Sequence, residues 1–272
     1  MNTLRSRNLI RNAGQDIKDD TLPHMIVSRE DGGLRLFTQP DHARLAADLL
    51  SLWRRDGLPN HPRREELLLA AREHDNGWQE ADSAPRLDRQ SSRPVDYRRL
   101  PNEPRFDIWR RGIDRLASQN EYAALLVAVH ARSVHQDRAH EPWPEFLAEI
   151  DERRSALLEV TGTTEEQAAD DYRFLQLFDR LSLSLCEGGD VRGTAHGYHF
   201  HALDRRLSLD PFPFAGATTF VVLSRRIPDH AYAGEAALGA ELAAARWERT
   251  EVRVRPEFQG SRPAEAISDT SV

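Results

Sequence analysis

The stretch AAREHDNGW, residues 70–78, sets a histidine beside an aspartate where an apolar helical run stops, with a glycine and a tryptophan directly after. Reading backwards, Pro62 opens the helix and Glu65 and Glu66 fill its first turn, where acids favour the dipole. Leu67, Leu68, Ala70 and Ala71 give it an apolar face, and Gly77 is expected to close it. His74 has Leu67, Ala70 and Ala71 behind it at i−7, i−4 and i−3, so it points inward. The preceding helix starts at Gln39-Pro40-Asp41, carries Leu45, Ala46, Leu49, Leu50 and Trp53, and is expected to end at Gly57. His42, with Leu45, Ala46 and Leu49 at i+3, i+4 and i+7, lies on its buried face.

Downstream, residues 82–106 hold four prolines and six arginines without periodicity, and read as a long loop. EYAALLVAVHARSVHQD is a strongly apolar helix in which Leu126, Val127 and Val134 surround His130. An amphipathic helix follows over about 144–159. Thr163-Thr164-Glu165-Glu166 is a capping start for the helix that carries DDYRFLQLFDRLSLSLC. There Asp179 sits among apolar residues, with Leu175 and Leu183 at i−4 and i+4.

After Gly188-Gly189, ATTFVVLSRRI and ERTEVRVRP read as strands, with a helix over 235–246 between them. MIVSRE, DGG and LRLFTQ read as an N-terminal hairpin. The expected fold is mostly α, in one domain over residues 23–257. Residues 39–190 form its helical core, and residues 23–38 and 205–257 form a small antiparallel β annex. Residues 1–22 and 258–272 are expected to be flexible tails.

The 272 residues supply ample core material, at 39% hydrophobic and 30% charged. No run approaches the roughly 18 apolar residues that would span a membrane, and the N-terminus has no apolar signal core. The net charge of −7 argues against nucleic acid as a partner. One cysteine, Cys186, excludes an intrachain disulfide and a multi-cysteine zinc site, and fits a cytoplasmic location. Lys18 is the only lysine and falls in the expected tail, which makes Schiff-base chemistry a poor fit.

His42, His74, His130 and Asp179 therefore all face the expected core, with Asp75 adjoining His74. A buried carboxylate costs several kcal/mol unless it is paired or metal-bound, so a cation is the simplest way to satisfy the group. The order His, His-Asp, Asp resembles the HD-domain superfamily, whose helical bundle binds a divalent metal through one histidine, an adjacent His-Asp pair and a distant aspartate. The resemblance implies an HD-like bundle with His42, His74, Asp75 and Asp179 as ligands. HDNGWQEADSAP parallels the superfamily's His-Asp-x-Gly-Lys turn, but Trp78 stands at the lysine position. That departure passes phosphate binding to arginines of the 82–106 segment, which leaves Trp78, Arg86, Arg98 and Arg99 as the substrate-binding candidates. Through TQPDHARLA, EHDNGW, YAALLVAVH and LFDRLSLSLC, over about residues 24–256, the chain also resembles an uncharacterised bacterial family, domain-of-unknown-function family 3891.

The resemblance implies one or two divalent transition-metal ions, and Mn, Fe, Co, Ni and Zn all suit this donor set. His130 and His135 are candidates for a second metal. Five residues separate them, roughly 140° at about 100° per residue, so a straight helix does not aim both at one ion. His130 is the inward one, as ligand or proton donor to a leaving oxygen, and His135 is expected at the rim. Asp75 ligates and holds the attacking water. Glu73 is a solvated neighbour that could act as an outer base. HGYHFH, with His196, His199 and His201, reads as a surface loop. The implied activity is metal-dependent hydrolysis of a small phosphate ester or nucleotide. Two alternatives stand beside it: a di-iron oxygenase using all six of His42, His74, Asp75, His130, His135 and Asp179, and a non-catalytic metal or ligand binder. A homo-oligomer is compatible with each.

Overall fold

The computed structural model describes residues 25–83 and 86–256; the expected tails at 1–22 and 258–272 lie outside the described residues. Strands β1 (Ile26–Glu30) and β2 (Gly33–Phe37) form the opening hairpin. Helix α1 (Gln39–Ser51) begins as expected, with the Thr38 side chain accepting from the Asp41 amide and Pro40 in the first turn. Helix α2 (Arg64–Glu73) runs up to His74 and leads through a 3-10 turn, Asn76–Trp78, into the short α3 (Gln79–Asp82). Four longer helices follow: α4 (Asn102–Ala117), α5 (Glu121–Val134), α6 (Trp143–Thr161) and α7 (Glu165–Glu187). Thr164 and Gln167 close the capping box that starts α7. The chain then forms β3 (Asp190–Ala195), β4 (Tyr198–Leu203), β5 (Arg206–Asp210), β6 (Thr218–Ile227), α8 (Glu235–Ala244) and β7 (Trp247–Pro256).

Helix α5 is apolar on nearly every side, which suits a helix surrounded by others. It packs against α2, α4, α6 and α7. Trp53, just past α1, ties the helices to the sheet: its ring meets Phe178 of α7 at 4.9 Å, Tyr198 of β4 at 4.7 Å and Phe214 at 5.5 Å. One apolar core runs from these helices into β4, β5, β6 and β7. None of the described helices is long and apolar enough to cross a membrane.

The sheet corrects the expected fold. It is no small antiparallel annex to an HD-like helical bundle but a curled, seven-stranded mixed sheet in the order β1-β2-β6-β7-β5-β4-β3. Strands β5 and β7 pair in parallel, Leu207 opposite Val254, and the other neighbours are antiparallel. Much of the difference lies in residues 190–203, which join β5 to extend the sheet beyond the expected β6 and β7. Their alternation is plain in retrospect: Tyr198, Phe200 and Ala202 face the core while His199 and His201 face outward. His196 and Gly197, at φ of 47° and 81°, make the tight turn of this hairpin. HGYHFH is thus hairpin, not loop.

Two further differences bear on the site. The segment read as a loop to residue 106 already contains the start of α4, whose first turn accommodates Pro104. And Gly77 does not cap α2 in a left-handed conformation. It lies in the 3-10 turn, pressed against α4.

Candidate metal centre

Four helices bring five side chains together. His42 comes from α1, His74 and Asp75 from the end of α2, His130 from α5 and Asp179 from α7. His42 and His74 are fully enclosed, and Asp75 and His130 nearly so. His42 Nε2 lies 2.8 Å from Asp75 Oδ2 and 4.0 Å from Asp179 Oδ1. His74 Nε2 lies 3.3 Å from Asp179 Oδ1 and 3.6 Å from Asp75 Oδ2. His130 Nε2 is 3.8 Å from Asp179 Oδ2. Two overlapping groups have metal-ligand spacing, His42–His74–Asp75 and His74–His130–Asp179, with their ligand atoms within 4.8 Å of one another. Either could hold a metal ion.

The proton positions sharpen the point. His74 Nδ1 lies 2.8 Å from the Ala71 carbonyl, which can only accept, so Nδ1 carries a proton and Nε2 is the nitrogen turned toward the carboxylates. That Nε2 is buried with carboxylate oxygens of Asp179 and Asp75 facing it, so it needs a proton or a metal ion between. His42 follows the same logic through a relay. Ser182 Oγ donates its one proton to the Asp179 carbonyl at 2.9 Å, so it must accept from His42 Nδ1 at 3.0 Å. His42 Nε2 lies 2.8 Å from Asp75 Oδ2, within hydrogen-bond distance of a group that can only accept. Two imidazoles turn their Nε2 atoms toward two carboxylates in a buried space. A cation, whether a proton or a metal, is what makes that arrangement stable.

Without metal, a proton is drawn in. Burial opposes charge on His74, but Asp75 and Asp179 outweigh it and hold the ring at about 9. Burial likewise works against ionised Asp179, yet His74, His130 and His42 keep it well below the usual carboxylate range. His130 goes the other way: burial, helped by His74 and His42, outweighs the two aspartates and pushes it down to about 4. It is neutral at pH 7, which suits a ligand.

Other expected site residues lie elsewhere. His135 caps the end of α5 and belongs to neither ligand group. It is buried rather than at the rim, because α4 and α6 cover it: Trp109 Nε1 donates to its Nε2 at 3.0 Å, and its ring is 4.5 Å from Trp143. Burial and the charges of Arg105 and Arg138 push its pKa down to about 3. Trp78 is buried against Ala81, Leu100 and Ile108. Arg86 pairs with Glu235, Arg98 with Asp96 and Glu187, and Arg99 with Asp88. Glu73 is half-buried at the last position of α2. His196, His199 and His201 bond separately to Gln176, Thr194 and Asp190, and join no metal-spaced group among the described residues.

The sequence reading did not pick out Ser182, Tyr172 or Trp109. Ser182 was within reach, three residues after Asp179 on the same helix face. The Tyr172 hydroxyl lies 3.1 Å from His130 Nδ1, and the Trp109 ring stands 5.6 Å from that of His130. If Ser182 orients His42, Ser182→Ala should weaken metal binding by about 10- to 100-fold with little loss of stability. Competition with a chelating dye measures it, and unchanged affinity excludes the relay.

The geometry is that of two overlapping histidine–carboxylate groups, set between helices, that could hold a metal ion. The model of the family described as "Protein of unknown function (DUF3891)" matches residues 25–229, and the chain belongs to that family. No curated protein matches it, and no solved structure does.

Proposed function

We propose that the protein is a divalent-metal-dependent hydrolase acting on a small phosphate ester or nucleotide. His42, His74, Asp75 and Asp179 hold the ion, and His130 completes one side of the site. One observation carries the reading: the Nε2 atoms of two buried imidazoles face two carboxylates in a closed space. The order of these ligands along the chain supports kinship with the HD-domain superfamily, whatever the surrounding sheet. When bound, a divalent cation supplies Lewis acidity to a water and to a phosphoryl oxygen.

The chain's own residues do the rest. Ala71 and Ser182 fix the two imidazoles so that Nε2 is the ligating atom. Asp75, next to His74 in the chain and bonded to His42, orients the attacking water. His130 is neutral at pH 7 and accepts a proton more readily than it gives one, so it protonates a leaving oxygen only after first taking a proton up. Arg98 and Arg99, with Arg29 and Arg93, line a separate cleft of about 350 Å³ that none of the five metal-site residues lines, and all four are paired with carboxylates. The six-ligand di-iron alternative needs His135, whose Nε2 is engaged by Trp109. The hydrolase reading has no such requirement.

The test is phosphate release from a panel of nucleotides and phosphomonoesters, with the protein loaded in turn with Mn, Co, Ni, Zn and Fe. Turnover should appear with at least one metal and fall to background in Asp75→Asn. Stoichiometric metal with no release from any substrate would overturn the hydrolase.

A further inference from the structure

A cleft of about 640 Å³ lies where the start of α1, the end of α3, the outer part of β6 and β7, and α8 meet. None of the five metal-site residues lines it. Its size falls within the roughly 300–1,000 Å³ typical of small-molecule sites.

Its charged groups differ in how they are satisfied. Asp41 accepts from the Thr38 hydroxyl and from Arg44, both at 2.6 Å. Arg225 donates to the Leu242 carbonyl at 3.0 Å and lies flat over the Trp247 ring, 4.0 Å from its centre. Asp82 is left short. It is 6% exposed; Oδ2 accepts from the Gln39 amide at 2.7 Å, and Oδ1 has no hydrogen-bond partner among the described residues. Neither guanidinium on the cleft wall pairs with it. Burial pushes its carboxyl well above the ordinary range, and the charges of Asp75 and Asp41 add to that against the Gln39 amide. A buried carboxylate with an unused oxygen and negative neighbours favours a cation that donates hydrogen bonds.

The opposite wall is apolar and open. Trp247 and Leu223 are 49% and 39% exposed on adjacent strands, and Leu242 of α8 lies beside them. Large apolar side chains exposed around a concave surface mark a place where something binds. Arg225 covers one face of the indole, so the rest is available to a flat ring.

We propose that this cleft binds an organic cation, a protonated amine or amidinium on a flat apolar body, with the charge on Asp82 and the body against Trp247. The cleft shares no lining residue with the metal centre, and its readout is binding rather than turnover.

Isothermal titration of the full-length protein tests it with two pairs of probes: benzamidine against neutral benzamide, and phenethylammonium against 2-phenylethanol. The cations should bind at least about tenfold more tightly than their neutral counterparts. Asp82→Asn, which retains an oxygen for the Gln39 amide, should erase that preference, and Trp247→Ala should weaken both members of each pair. Neutral probes that bind as tightly as the cations, or no binding of any probe at millimolar concentration, would overturn the proposal. So would full cation affinity in Asp82→Asn. Should that variant fail to fold, the cation–neutral comparison on the unaltered protein still decides.

Discussion

Stripping the protein of metal with a strong chelator should lower its melting temperature by roughly 8–16 °C. An ion present at about a thousand times its dissociation constant stabilises the folded state by about 4 kcal/mol. In a domain of this size each kcal/mol is worth roughly 2–4 °C. His74→Ala and Asp179→Ala should carry no stoichiometric metal by elemental mass spectrometry, and chelator should leave their melting temperatures where they are. Each should also be less stable than the loaded protein by about 3–5 kcal/mol, because truncation strands its partners' buried charges. A pH series adds a sign. In the stripped protein His74 titrates near 9, against 6.5 for an ordinary histidine. Its protonation therefore stabilises the fold fully below about pH 6.5, and that contribution is lost as pH rises through about 9. The metal-loaded protein has no such proton to lose at His74. The gap between loaded and stripped melting temperatures should widen over that window. A purified protein with no metal, indifferent to chelator at every pH, removes the centre altogether.

The core of this site could be read from the sequence because helical periodicity fixes direction. His42, His74, His130 and Asp179 each carried apolar neighbours at helical spacing, and each proves to face the same space. Of the two histidines on α5, His130 joins a metal-spaced group among the described residues and His135 does not. What covers His135 could not be read, because Trp109 and Trp143 reach it from other helices. The Nδ1 partner of His42 is likewise a tertiary contact, Ser182, whereas that of His74 is local, the Ala71 carbonyl three residues back. Helix α4 is a different case. Phe106, Trp109, Ile113 and Leu116 follow helical spacing, but Pro101 and Pro104 drew the reading toward a loop, although both positions suit a helix start. The sheet was under-read because β3, β4 and β5 are short, punctuated by glycines and histidines, and joined to the rest by a non-local parallel pair, β5 with β7. No local pattern announces that pairing.

The turn that carries His74-Asp75 depends on Gly77 for space rather than for backbone freedom, and Gly77→Ala should show it. A Cβ at that position would overlap the Ile108 carbonyl oxygen and come within 3.0 Å of the Ile108 carbonyl carbon and 3.1 Å of the Gly112 amide nitrogen. All three atoms belong to the α4 backbone, which cannot move aside as the end of a side chain would. Helix α4 also grips the turn directly: Arg111 donates to the Gly77 carbonyl at 2.6 Å and Arg115 to the Asn76 carbonyl at 2.7 Å. Pushing α4 away breaks those bonds and shifts Asp75, two residues upstream. Overpacking of this kind costs about 3 kcal/mol or more, so Gly77→Ala should unfold at clearly lower urea and retain little metal. Gly112→Ala is the informative comparison. A Cβ there meets the movable Asn76 amide at 3.2 Å and the Gly77 amide nitrogen at 3.3 Å, while replacing a helix-interior glycine returns up to about 1 kcal/mol. It should be much milder in both stability and metal content. If the two variants behave alike, or if Gly77→Ala keeps its metal and its urea midpoint, then α4 does not hold the His-Asp turn in place, and the pair owes its position to α2 alone.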